Sequence, residues 1–154
     1  MKKFIYNMVL AGILISTPVY PSSISTPRDL SNWLIKNFKY EFDKNDYWKS
    51  PRETIRDKRA DCEDFAILSK YILGKKGYKV YLIAITYKNF DRGHAIAVIK
   101  NKDNTYSFMS NRYYFPTKYK TIRELLDNHR LSSTWKNAWL VINRKIWLPF
   151  WRNK

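Results

Sequence analysis

The chain has 154 residues, enough for one domain with a real core and too few for two of ordinary size. Its hydrophobic content of 45%, with six Trp, twelve Tyr and eight Phe, excludes a disordered chain, because such chains are poor in aromatics. Twenty-nine basic against thirteen acidic residues leave a net charge of +16, which favours anionic partners, although the basic residues run along the whole chain and no nucleic-acid motif gathers them.

Residues 1–22 have the order of an export signal. Lys2-Lys3 precede an apolar run, Phe4 to Ile15, interrupted by Asn7 and Gly12, and Ser16-Thr17-Pro18 follows. The run is about a dozen residues, short of the roughly 20 that a membrane helix needs. Val19, Tyr20 and Pro21 offer no small-x-small cleavage pattern, so the segment reads as a signal peptide or a retained N-terminal anchor. Residues 23–154 are then one exported domain, periplasmic or secreted. One cysteine excludes an intrachain disulfide, and one cysteine with two histidines does not make a structural zinc site. No cofactor or metal is called for.

After a short Ser-rich linker, Thr26 is an N-cap with Pro27 at the first helical position, and Leu30, Trp33, Leu34 and Phe38 form the apolar face of that helix. Tyr40 to Lys49 is irregular. Ser50-Pro51-Arg52-Glu53 is a capping box opening a short second helix, to about Lys58. A third helix starts at Asp61-Cys62-Glu63-Asp64 and runs to about Leu73 before Gly74-Lys75-Lys76-Gly77. Phe65, Leu68 and Ile72 mark its buried stripe, and Cys62 lies on it, in the first turn. Free amides at a helix start favour thiolate, while Asp61, Glu63 and Asp64 oppose it.

Past Gly77 the pattern turns to strand: Tyr78–Tyr87, Gly93–Ile99 and Thr105–Asn111. Asn101-Lys102-Asp103-Asn104 reads as the hairpin turn between the last two. Arg112 to Tyr119 is expected as loop, Thr121-Ile122-Arg123-Glu124 as a capping box for a helix to about Asn128, and Trp139–Asn143 as a last strand. The tail from Lys145 mixes Trp147, Phe150 and Trp151 with basic residues. Helices followed by an antiparallel sheet make the fold α+β.

A nucleophilic cysteine needs a base and a group to orient that base. His129 falls at a helix end and reads as a cap or surface residue. His94 opens a strand beside Gly93, which permits close backbone approach. If Asn101–Asn104 form a four-residue loop, Lys100 pairs with Thr105 and His94 faces Asn111, close enough for an amide to orient an imidazole. A register shifted by one brings Ser110 or Arg112 opposite instead.

Trp48-x-Ser50-Pro51-x-Glu53-Thr54, Asp61-Cys62-Glu63-Asp64-Phe65-Ala66, Gly77-Tyr78 and Gly93-His94-Ala95 together resemble the transglutaminase-like superfamily, closest to its bacterial cysteine proteinases. The resemblance spans roughly Trp48 to Asn111. It implies a papain/transglutaminase-like core, Cys62 as nucleophile and His94 as base, acting on a protein or peptide substrate. Two departures stand out. Ala60 replaces the usual glycine two positions before the cysteine, and Met109-Ser110-Asn111 stands where the family has its aspartate, which puts that position on Ser110 with Asn111 as a substitute. The expected catalytic set is therefore Cys62, His94 and Asn111, in a peptidase or amidase, or an acyl transferase to amines. A second reading is a degenerate module that holds an anionic membrane or cell-wall surface through its basic face and its aromatic C-terminal tail.

Overall fold

The computed structural model describes residues 20–88, 90–128, 135–142 and 147–152. Its elements follow the order α1 (Pro27–Asn37), β1 (Lys39–Tyr40), α2 (Pro51–Asp57), β2 (Arg59–Ala60), α3 (Cys62–Lys75), β3 (Lys79–Tyr87), β4 (Phe90–Lys100), β5 (Tyr106–Ser110), β6 (Tyr113–Tyr119), α4 (Ile122–Asn128), β7 (Trp135–Val141) and β8 (Trp147–Arg152). The fold is α+β, with the cysteine helix packed on an antiparallel sheet, as expected.

Local chemistry sets the helix starts. Thr26 and Ser50 each accept the amide three residues on, and Asp29 and Glu53 return a carboxylate to the cap amide, completing both capping boxes. Thr121 Oγ accepts the Glu124 amide at 3.0 Å, and the Glu124 carboxylate accepts the Lys120 amide at 2.7 Å. The third helix begins differently: Asp61 is its N-cap but makes no side-chain capping bond.

The sheet has the order β6-β5-β4-β3-β7-β8, and a separate two-residue parallel ladder joins β1 to β2. Both faces of the sheet are covered, so its central strands are buried without alternation. On one face α1 and α3 bring Leu34, Phe38, Phe65, Leu68 and Ile72 against Leu82, Ala97, Ile99 and Met109. On the other, α4 brings Leu125 and Leu126 over Ile83, Ile96, Val98, Phe108 and Trp135. Beneath the N-terminal end of α3 the sheet carries Ala84 and Ala95, small side chains that let the helix start come close to β4. Gly93 allows a second close approach: a Cβ there would sit 2.9 Å from the Ile85 carbonyl oxygen.

Two segments differ from expectation. Residues 113–119, expected as loop, form the edge strand β6, where the missing amide of Pro116 costs no ladder bond. The β4–β5 register pairs Lys100 with Tyr106 and Ile96 with Ser110, one residue on from the expected pairing of Lys100 with Thr105. Asn104 takes a left-handed conformation at φ 63°, and Asp103 accepts both the amide and the hydroxyl of Thr105, so Thr105 belongs to the turn. His129 lies outside the described residues.

Candidate active site

The start of α3, the end of β3 and the start of β4 converge on one cavity of about 410 Å³. Cys62, Glu63 and Asp61 come from the helix, Gly93, His94 and Ala95 from β4, and Tyr40, Phe42, Trp48 and Trp139 supply aromatic walls. Trp48 also packs against the main core, so it is both a wall of the site and part of the scaffold.

The wall formed by residues 40–49 is irregular, and buried carboxylates of α3 hold it. Asp61 Oδ2 accepts the Asp43 amide at 3.3 Å, and Asp64 Oδ1 accepts the Lys49 amide at 2.7 Å. Asp64 also lies 3.5 Å from the Lys49 ammonium. Asp43 in turn accepts the amides of Asn45 and Tyr47, and the Tyr47 hydroxyl donates to Glu53. The acidic residues flanking the cysteine thus have a structural task that their sequence context did not disclose. Burial pushes the carboxyls of both Asp61 and Asp64 upward, against these amide bonds.

Cys62 is half-buried at the first position of α3. Its thiol donates to Glu63 Oε2 at 3.0 Å. Burial first, and the Glu63 carboxylate second, push this thiol up to about 12, while the Ala95 amide works in the other direction. Desolvation and the Glu63 and Asp61 charges thus raise the thiol, in the direction the flanking acids favour. Glu63 is itself pushed up to about 7, first by burial and then by the neighbouring Asp61 carboxylate.

His94 is half-buried, and desolvation pulls it down to about 4, so the imidazole is neutral at neutral pH. Its Nε2 lies 2.8 Å from Ser110 Oγ. The one-residue change of register explains this partner: Ser110 faces Ile96, two residues along β4 from His94 on the same face, and is therefore its diagonal neighbour. Asn111 does not take that place. It opens the two-residue turn between β5 and β6 at φ 49°, and its Oδ1 is buried without a hydrogen bond among the described residues.

Cys62 and His94 therefore line one cavity, Ser110 is joined to it through its hydrogen bond to His94, and Asn111 lies in the adjoining turn. The hydrogen bonds of the described residues include none between Cys62 and His94; the thiol reaches Glu63 and the backbone beside the histidine instead. Sequence reasoning missed Glu63 as the thiol's acceptor and Trp139 as a wall. The signal for the first was a buried-stripe cysteine followed directly by a carboxylate.

The profile of the family described as DUF553, Transglutaminase-like domain, matches residues 12–133, well beyond the Trp48–Asn111 stretch that carries the sequence resemblance. The UPF0252 protein MJ1282 of Methanocaldococcus jannaschii is 26% identical over 125 residues, covering 71% of this chain and 35% of that protein. A UPF0252 protein of Archaeoglobus fulgidus is 38% identical over 58 residues, covering 38% of this chain and 18% of that protein. The chain thus spans about a third or less of the length of these relatives. Among solved structures, calcium-bound LapG of Legionella pneumophila superposes with a TM-score of 0.57 at 20% identity, covering 83% of this chain and 70% of that one. Its EGTA-treated form gives a TM-score of 0.52 at 19% identity over 80% of this chain and 69% of that one. At 19–20% identity the likeness to LapG concerns the fold.

Proposed function

Because this chain belongs to the transglutaminase-like DUF553 family, we propose that it is an exported thiol enzyme acting on amide bonds of proteins or peptides. The observation that carries the reading is the meeting of Cys62 and His94 in one aromatic-walled cavity, with Ser110 Oγ 2.8 Å from the imidazole Nε2.

In this reading Cys62 Sγ attacks the carbonyl carbon while its proton passes to His94, because a high thiol and a low imidazole disfavour a preformed ion pair. The Cys62 amide, at the first position of α3, has no partner within the helix and is the donor this reading assigns to the developing oxyanion. His94 then gives the proton to the leaving amine, and a thioester remains. Water, activated by His94, releases the acid; an amine in its place gives a transferred amide. Before attack the thiol has to leave Glu63, so Glu63 opposes the reaction in the resting site.

LapG has a calcium-bound form, which raises the question of a cation beside Cys62 in this chain. No three Asp, Glu, His or Cys side chains among the described residues are gathered to hold a metal ion, and Asp61 and Glu63 are engaged with the Asp43 amide and the thiol. The donor set of the described residues does not fit a metal ion, and the reading uses none.

Two observations favour the alternative, a degenerate module for anionic surfaces: the thiol bound to Glu63, and a serine where the family has aspartate. Incubation with a mixed peptide library, read by mass spectrometry, separates the two. The enzyme reading expects cleaved peptides with wild type and none with Cys62→Ala or His94→Ala; added methylamine distinguishes hydrolysis from acyl transfer. No cleavage, or cleavage indifferent to Cys62, leaves the binding module.

A further inference from the structure

The far end of α3, about 20 Å from the thiol at 1.5 Å per residue, carries a second concavity of about 500 Å³. It is lined by Lys76 and Lys79, at the end of α3 and the start of β3, and by Lys100 and Lys102 at the β4–β5 turn. Asp103 is the carboxylate in this turn, and it is held by the amide and hydroxyl of Thr105.

Lys79 and Lys100 are direct cross-strand partners in the β3–β4 ladder. Like charges placed opposite each other on neighbouring strands destabilise the pair, so the fold bears a local cost that an external anion would relieve. Tyrosines are interleaved with the lysines. Lys79 Nζ lies 5.6 Å from the Tyr81 ring, Lys75 Nζ 6.0 Å from Tyr71, and Lys76 Nζ 6.0 Å from Tyr20. Lysine with tyrosine is the composition of a membrane–water interface.

The chain also enters the domain here. Lys76 donates to the Ser22 carbonyl and Tyr78 to the Ser25 carbonyl, both at 3.3 Å, and Ile24 is buried. Nineteen residues precede Tyr20, with Lys2-Lys3 and the apolar run Phe4 to Ile15 among them.

We propose that this lysine pole, beside which the described chain begins at Tyr20, is a docking surface for an anionic lipid bilayer, with the Cys62 cavity at the opposite end of α3. Stable membrane attachment requires two signals: the basic surface supplies one, and the apolar run of the sequence, Phe4 to Ile15, offers the second. The proposal is independent of whether the cavity is catalytic.

The test is sedimentation of the full chain with vesicles of phosphatidylcholine alone or mixed with phosphatidylglycerol, at low and high salt. The expected result is tighter, salt-sensitive partitioning onto the mixed vesicles, weakened roughly 10- to 30-fold by Lys79→Gln/Lys102→Gln. The control Lys39→Gln/Arg52→Gln, at the other end of the domain, is expected to stay within about twofold, since only charges near the surface contribute. Removing a like charge from the Lys79–Lys100 pair is also expected to leave the thermal midpoint unchanged or raised, so lost binding is not lost folding. Equal partitioning onto neutral vesicles, or equal losses in the two double variants, overturns the proposal. So does pole-dependent retention on polyphosphate without any vesicle preference, which makes the ligand a polymer.

Discussion

Glu63→Gln is expected to raise the thermal midpoint by about 5 °C near pH 8 and to change it little near pH 5, read by thermal unfolding. Burial lifts the Glu63 carboxyl from 4.5 to about 7 in the folded protein. A carboxyl raised on folding contributes stability that is fully present below its unfolded value and is lost as pH rises through its folded one. Above about pH 7 the ionised Glu63 therefore costs the native state on the order of 2 kcal/mol. Glutamine keeps an acceptor for the Cys62 thiol and removes the charge. His94 works in the opposite sense: lowered from 6.5 to about 4, it withdraws stability as pH falls through that interval. The wild-type curve superposes the two contributions, and the difference between the variant and wild type isolates Glu63. A midpoint that falls near pH 8 in the variant contradicts the assignment.

Ser110→Ala is expected to lower kcat about tenfold with KM little changed, the loss of one neutral hydrogen bond that positions the base. Asn111→Gly, which suits the left-handed φ of 49°, is expected to leave kcat within about twofold, because Asn111 does not bond His94. Ser110→Asp places a carboxylate against Nε2 and favours the imidazolium, so the acid limb of the pH–rate profile is expected to move up by about one unit or more. The profile is measured on a peptide cleaved in the library experiment. Equal effects of Ser110→Ala and Asn111→Gly, with no shift in Ser110→Asp, contradict the role given to Ser110.

The parts of this architecture that depend on a few neighbouring residues were legible in the sequence. Capping at Thr26, Ser50 and Thr121 uses groups three residues apart, and the cysteine helix announces itself by its apolar stripe. Edge strand β6 was not legible, because Pro116 reads as loop unless its place at the sheet edge is known. The parallel pairing of β1 with β2 joins residues twenty apart and has no local signature. In the site, Cys62 and His94 stood out by residue type and spacing. The histidine's partner turned on the register of a single turn, where Asn104 and Asp103 add one residue to the loop. The role of Glu63 depends on a buried carboxylate being folded back onto the thiol, which spacing alone cannot encode.

The most direct test of the central claim, that Glu63 and His94 compete for the Cys62 proton, is the pH dependence of Cys62 alkylation by iodoacetamide, followed by intact mass. Wild type is expected to label more slowly than free cysteine near pH 8, because its thiol is held near 12. Glu63→Gln is expected to label at least about tenfold faster, and Glu63→Gln/His94→Ala to lose that gain. Labelling of wild type at the rate of an ordinary thiol, or a gain in Glu63→Gln that survives without His94, would contradict the account.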